Sequence, residues 1–103
     1  MKLNHVAILY PSGNTTALVF DPIDRANYRE VNDFMLATDP SIEVVMFVDR
    51  NRDIPSGEMA GGEFCGNATR SFGFYLLEGK PGEVTVRVSG AEKPLKVCVR
   101  AWE

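Results

Sequence analysis

A cysteine flanked by glycines is the part of the sequence best suited to chemistry. Cys65 stands within the run Gly-Gly-Glu-Phe-Cys-Gly-Asn-Ala-Thr-Arg, residues 61–70. Apolar residues then recur at helical spacing over residues 68–76, and Gly79 and Pro81 are typical of a helix end. The sequence therefore predicts that Cys65 lies at the N-terminus of a helix.

A helix N-terminus would give Cys65 two chemical advantages. Its unpaired N–H groups and partial positive charge favour the thiolate, which is the reactive form of cysteine. The backbone N–H groups of Gly66 and Asn67 could also hold a carboxylate. The alternative is that Cys65 is a small buried residue in a structural turn, which is the more common situation for a free cysteine.

Two segments also carry a resemblance to a known family. Residues 62–70 resemble the catalytic-cysteine motif of the diaminopimelate epimerase-like superfamily, whose members are cofactor-independent amino-acid racemases and epimerases. The form Gly-Glu-Phe-Cys-Gly-Asn-Ala-Thr is most similar to the histidine racemase branch, which serves opine metallophore synthesis. Residues 11–16, Pro-Ser-Gly-Asn-Thr-Thr, resemble that branch's Pro-Ser-Gly-Asn segment, and the two motifs have the family's order and spacing.

The resemblance implies a role for each candidate site residue. Cys65 would be one of two groups that move the Cα proton of an amino acid, and Gly66 and Asn67 would donate to its carboxylate. Asn14 would hold the substrate backbone, and Glu43 would contact the substrate side chain. The resemblance implies no cofactor and no metal.

A second acid/base group is not evident in these 103 residues. Full-length family members take it from a second lobe, in another Cys-Gly turn, and Cys98 has neither the glycines nor a following helix, so we interpret it as structural. The partner is then a missing C-terminal lobe or, in a homodimer, a second copy of this chain. A lobe by itself would be inactive unless it dimerises across the cleft. A non-catalytic module that binds amino-acid carboxylates is the alternative function.

Other function classes find little support. A net charge of −3 without clustered Lys and Arg argues against nucleic-acid binding, and no apolar run approaches the length of a membrane span. The single histidine, His5, lies in the first predicted strand, which disfavours a Cys-His hydrolase. No signal peptide or disulfide framework is evident, so we expect a cytoplasmic protein.

The hydrophobic pattern predicts one α+β domain over residues 1–103. Strands are expected at residues 3–10, 15–20, 42–48, 58–60, 83–88 and 95–102, with helices at 24–37 and from 66 to about 78. Asp24 is expected to cap the first helix. The economical arrangement is a twisted, mostly antiparallel β-roll around the second helix, with the first helix outside. The resemblance implies the same architecture, one lobe of a diaminopimelate epimerase-like fold.

Overall fold

Six strands and two α-helices make up the part of the chain that the structure, a computed structural model, describes, namely residues 3–9 and 15–100. The strands are β1 (Val6–Leu9), β2 (Thr16–Val19), β3 (Val44–Asp49), β4 (Ser56–Met59), β5 (Gly82–Val88) and β6 (Leu95–Val99). The helices are α1 (Tyr28–Thr38), which follows a 3₁₀ turn at Arg25–Asn27, and α2 (Gly66–Leu76).

The strands lie side by side in chain order, from β1 to β6. Three of the five pairings, β1/β2, β3/β4 and β5/β6, are antiparallel, whereas β2/β3 and β4/β5 are parallel and are connected through α1 and α2. Crossovers between parallel strands are almost always right-handed. Because the antiparallel β3/β4 pairing reverses the strand direction between the two crossovers, this rule places α1 and α2 on opposite faces of the sheet.

Strands β2 and β3 are buried on both faces, which explains their nearly continuous apolar sequences. Every second side chain of β2 and β3 points toward α2 and packs in the core around that helix. The alternate side chains pack with Val31 and Met35 of α1. Leu18, Met46 and Val48 lie in the α2 core, whereas Ala17, Val19, Val45 and Phe47 lie in the α1 core.

Helix α2 occupies the inside of the curved sheet. Ala68 and Phe72, one turn apart on its inner face, are fully buried, and the helix contacts β2, β3, β5 and β6. Gly73 allows a close approach between α2 and β6, because a Cβ atom there would lie 2.4 Å from Cγ1 and 2.6 Å from Cβ of Val97 on β6. The prediction of a sheet wrapped around the second helix is confirmed, with α1 as the outer helix.

The direction of α2 decides where Cys65 lies. The ring of Tyr75, near the end of α2, lies 4.9 Å from that of Phe20, just after β2, and its hydroxyl lies 3.2 Å from Nη1 of Arg50, just after β3. The helix therefore ends where β2 and β3 end. Its 11 residues span about 16 Å, which carries its N-terminus to the other end of the sheet. We call that end, where β2 and β3 begin and β4 and β5 finish, the Cys65 end.

Two local predictions differ from the structure. Asp24 precedes a 3₁₀ turn rather than the α-helix, and its side chain makes no capping hydrogen bond, so the predicted cap is wrong. Strand β4 begins at Ser56, two residues before the predicted strand at 58–60, because its backbone pairs with both β3 and β5. The predicted helix stop is confirmed: Gly79 has a φ of +74°, and its N–H donates to the Phe74 carbonyl at 3.0 Å.

We expect Gly73→Ala to destabilise the domain by about 1–3 kcal/mol, although alanine favours helices, because the new methyl group overlaps Val97. Urea denaturation followed by circular dichroism measures the change. Adding Val97→Ala should recover part of the loss, since it removes the Cγ1 contact but leaves Cβ. A Gly73→Ala protein as stable as wild type would contradict this packing.

Candidate active site

Cys65 is the N-cap residue of α2, as the sequence predicted. Its backbone is extended, with φ −133° and ψ 112°, and its side chain makes no capping hydrogen bond. The carbonyl oxygen of Cys65 instead accepts from the N–H of Thr69 at 3.0 Å and from its hydroxyl at 2.8 Å. The fold thus uses the main chain of Cys65 and leaves its half-buried thiol available for chemistry.

The first turn of α2 presents N–H groups beside this thiol. Gly66 and Asn67 open the helix, where backbone N–H groups have no intrahelical acceptor. Among the described residues, no backbone carbonyl outside the helix accepts from either of them. This arrangement can stabilise negative charge on a nearby carboxylate.

Arg70 adds a positive charge to the same turn. Its Nη2 donates to Oδ1 of Asn67, and a Cβ atom on Gly66 would lie 3.3 Å from its Nη1. The guanidinium therefore folds back over the start of the helix, where the helix dipole is also positive. We gave Arg70 no role from the sequence, although its i, i+3 spacing from Asn67 is a signal for such a contact.

The turn that leads into Cys65 depends on glycine and on a distant serine. Gly62 has a φ of +76°, and its N–H donates to the Met59 carbonyl at 3.0 Å. Ser89, directly after β5, accepts from the Met59 N–H at 2.9 Å through Oγ and donates to the Glu63 carbonyl at 2.6 Å. No local sequence pattern predicts this role of Ser89, since it lies 26 residues from Glu63.

Of the two other candidate residues, the structure describes Glu43 but not Asn14. Glu43 is exposed and directly precedes β3, and its N–H donates to the Thr15 carbonyl at 2.9 Å, so it lies at the Cys65 end of the sheet. Asn14 lies outside the described residues. The structure thus brings Cys65, Gly66 and Asn67 together, and the contact of Glu43 with a substrate stays a prediction.

The second cysteine lies elsewhere. Cys98 on β6 is exposed and pairs with Glu83 across β5/β6, and its thiol donates to the Glu83 carboxylate at 3.3 Å. This hydrogen bond raises the pKa of Cys98 above its ordinary value. Glu83 lies five residues before Val88 on β5, about 17 Å along the strand from the Cys65 end.

A cleft of about 850 Å³ lies at the opposite end of the sheet from Cys65. Its charged groups are largely paired with protein groups: Arg25 binds Glu58 at 2.6 Å, and Asp21 accepts from the backbone N–H of Asn4 and of His5. The bond from Asn4 makes the largest contribution to lowering the pKa of Asp21. The cleft is therefore separate from the candidate site.

Residues 3–9 and 15–100 contain neither a metal-binding cluster nor a membrane-spanning helix. No group of three or more His, Cys, Asp or Glu side chains is placed to hold a metal ion there. Neither helix in that part of the chain has the length and apolar character needed to cross a membrane.

Comparison with known proteins agrees with this geometry. Residues 2–103 match the family described as the histidine racemase CntK N-terminal domain. The chain belongs to this family. It is also similar to the histidine racemase of Staphylococcus aureus (strain Mu50), at 38% identity over 97 residues, which covers 86% of this chain and 36% of that protein.

A second racemase shows the same partial coverage. The chain is 34% identical over 97 residues to the histidine racemase of Fusobacterium nucleatum subsp. nucleatum, covering 87% of the chain and 35% of that protein. The chain thus spans about a third of the length of the curated relatives that it matches. The resemblance to the histidine racemase branch is confirmed, and the matched region is the N-terminal part of the family's proteins.

We expect Glu83→Gln to speed the alkylation of Cys98 at pH 7.5. Without the carboxylate, the pKa of Cys98 falls toward its ordinary value and the thiolate fraction at a fixed pH increases. Iodoacetamide labelling, quantified at Cys98 by peptide mass spectrometry across pH, measures the change. The exposed Glu92→Gln is the control and should leave the rate unchanged, whereas equal rates in both variants would contradict the assigned contact.

Proposed function

We propose that this chain is the cysteine-bearing N-terminal half of a cofactor-independent histidine racemase. The observation that carries the proposal is the position of Cys65, whose thiol makes no capping hydrogen bond at the N-cap of α2, in a chain of the histidine racemase family. The N–H groups of Gly66 and Asn67 next to it supply the electrostatic stabilisation that a carbanion mechanism needs.

The proposed reaction inverts the configuration at Cα by removing one proton and adding another. The Cys65 thiolate takes the Cα proton and becomes a thiol, while the electron pair of the broken C–H bond delocalises into the substrate carboxylate. The N–H groups of Gly66 and Asn67 stabilise the charge that grows there. A second acid then protonates Cα from the opposite face, which gives the other enantiomer. In the reverse direction, the thiol of Cys65 is the donor.

The second acid is proposed to come from the C-terminal part of a full-length protein. The matched racemases extend well beyond the region that this chain covers, which supports a second lobe as its source. A homodimer that shares one cleft is the alternative. Asn14 is proposed to hold the substrate backbone and Glu43 to contact the histidine side chain.

The compartment follows from the chemistry of the thiol. A catalytic thiolate must stay reduced to exchange a proton, and the reducing cytoplasm keeps thiols in that state. We therefore propose a cytoplasmic location.

Cys65→Ser in the full-length protein should lower the rate of histidine racemisation by about 10²–10⁴-fold in both directions. A serine hydroxyl is a far weaker acid than a thiol and cannot serve as the base at neutral pH. Chiral chromatography measures racemisation, and mass spectrometry measures deuterium uptake at Cα in D₂O. Cys98→Ser is the matched control and should retain the wild-type rate.

The outcomes of this experiment separate the alternatives. A Cys65→Ser enzyme that racemises normally would contradict the proposal, and wild-type protein that binds histidine without exchanging its proton would favour a binding module. Racemisation by residues 1–103 without any further sequence would favour the shared cleft of a homodimer over a second lobe.

Glu43→Gln should raise KM for histidine by roughly tenfold and change kcat much less. A charged side chain that binds the substrate side chain equally in the ground and transition states contributes to uniform binding. Steady-state kinetics measure both constants, and Glu30→Gln, a change of an exposed glutamate on α1, is the control. An unchanged KM would remove Glu43 from the binding site.

A further inference from the structure

We propose that Ser89 and Gly90, in the connection between β5 and β6, are positioning residues that hold the turn carrying Cys65. The proposal rests on the function proposed above for Cys65. It concerns two residues that lie far from the cysteine in sequence and that act through the backbone of residues 59–64 rather than by touching substrate.

Ser89 connects three segments at the Cys65 end of the sheet. Its Oγ accepts from the N–H of Met59, the last residue of β4, at 2.9 Å and donates to the carbonyl of Glu63 at 2.6 Å. Its own N–H donates to the Gly57 carbonyl at 3.0 Å. One hydroxyl therefore fixes the distance between the end of β4 and the backbone two residues before Cys65.

Gly90 supports the same turn by direct packing. It has a φ of +79°, and a Cβ atom there would lie 2.4 Å from the backbone nitrogen of Phe64 and 2.9 Å from the carbonyl carbon of Glu63. The atoms it would meet include main chain, which cannot rotate away as a flexible side chain can. The glycine thus allows the connection after β5 to lie directly against the residue that precedes Cys65.

These contacts matter because the Cys65 side chain makes no capping hydrogen bond of its own. On its C-terminal side the cysteine is fixed by α2, through the bonds of Thr69 to its carbonyl. On its N-terminal side the contacts of Ser89 and Gly90 fix residues 63 and 64. The position of Sγ relative to the helix N–H groups therefore depends on both, and a misplacement of about 1 Å can cost 10²-fold in rate.

The serine is tested in the full-length protein with three variants: Ser89→Ala, Ser89→Thr and the matched control Ser71→Ala. Ser71 is fully buried like a core residue, but its hydroxyl has no hydrogen-bond partner among the described residues, so its removal breaks no hydrogen bond seen there. Ser89→Ala should lower kcat for racemisation by about 10–100-fold with KM nearly unchanged. Ser89→Thr retains the hydroxyl and should recover most of the rate, and Ser71→Ala should resemble wild type.

A second readout does not depend on racemisation. The rate of alkylation of Cys65 by iodoacetamide, measured by peptide mass spectrometry well below Tm, should increase in Ser89→Ala, because a released turn exposes the half-buried thiol. It should stay at the wild-type value in Ser71→Ala.

The glycine is tested with a pair of variants that share the same backbone strain. Gly90 and Gly79 have φ values of +79° and +74°, so alanine is disfavoured at both. Only at Gly90 does the added Cβ meet main chain before Cys65; at Gly79 its nearest contact is Cζ of Phe74, at 3.2 Å. Gly90→Ala should change kcat and Cys65 alkylation, whereas Gly79→Ala should lower Tm and change neither.

The outcomes distinguish this inference from the proposed function. If Ser89→Ala and Gly90→Ala lower Tm but leave kcat and Cys65 alkylation at wild-type values, the two residues are merely structural and the inference is overturned. If alkylation increases as expected but the wild-type protein racemises nothing, the positioning role stands and the proposed function fails.

Discussion

The close contact between α2 and β6 at Gly73 is the constraint on which the rest of the structure depends. Because no side chain separates the helix from Val97, α2 can lie deep inside the curved sheet, with Phe72 fully buried. Contacts of Tyr75 with Phe20 and Arg50 fix the other end of the helix. With its depth and direction fixed, α2 brings its N-terminus, and with it Cys65, to the end of the sheet where β2 and β3 begin.

The main chain of Cys65 contributes to the stability of α2, whereas its thiol is the group proposed for chemistry. The carbonyl of Cys65 takes part in the helix through Thr69, while its thiol makes no capping bond. Buried polar groups normally need partners, so an unused thiol at a helix N-terminus costs the fold little only because sulfur is a weak hydrogen-bonding group. A serine at this position could act as an N-cap and accept from the N–H of Asn67, one of the two that we propose for the substrate carboxylate. Cysteine therefore leaves both N–H groups available.

Local signals predicted much of this structure, and non-local contacts account for the rest. The glycines around Cys65 and the helical spacing after it were sufficient to place the cysteine at the start of α2, and alternating residues predicted β5 and β6. The prediction that Asp24 caps the first helix was wrong because the chain enters α1 through a 3₁₀ turn. Packing of α1 on the sheet can override the local preference of Asp for the N-cap position. The parallel pairings and the bridge from Ser89 to Glu63 join segments distant in sequence, which no local pattern encodes.

The positions of the histidine and of the second cysteine support the proposal that Cys65 needs a partner from beyond this chain's own fold. Racemisation requires acid/base groups on opposite faces of one carbon. His5 lines the cleft at the far end of the sheet, where its N–H binds Asp21. Cys98 lies toward that same end and is held as a thiol by Glu83. Both residues lie away from Cys65 by most of the length of α2. Neither could therefore reach the opposite face of a substrate bound at Gly66 and Asn67.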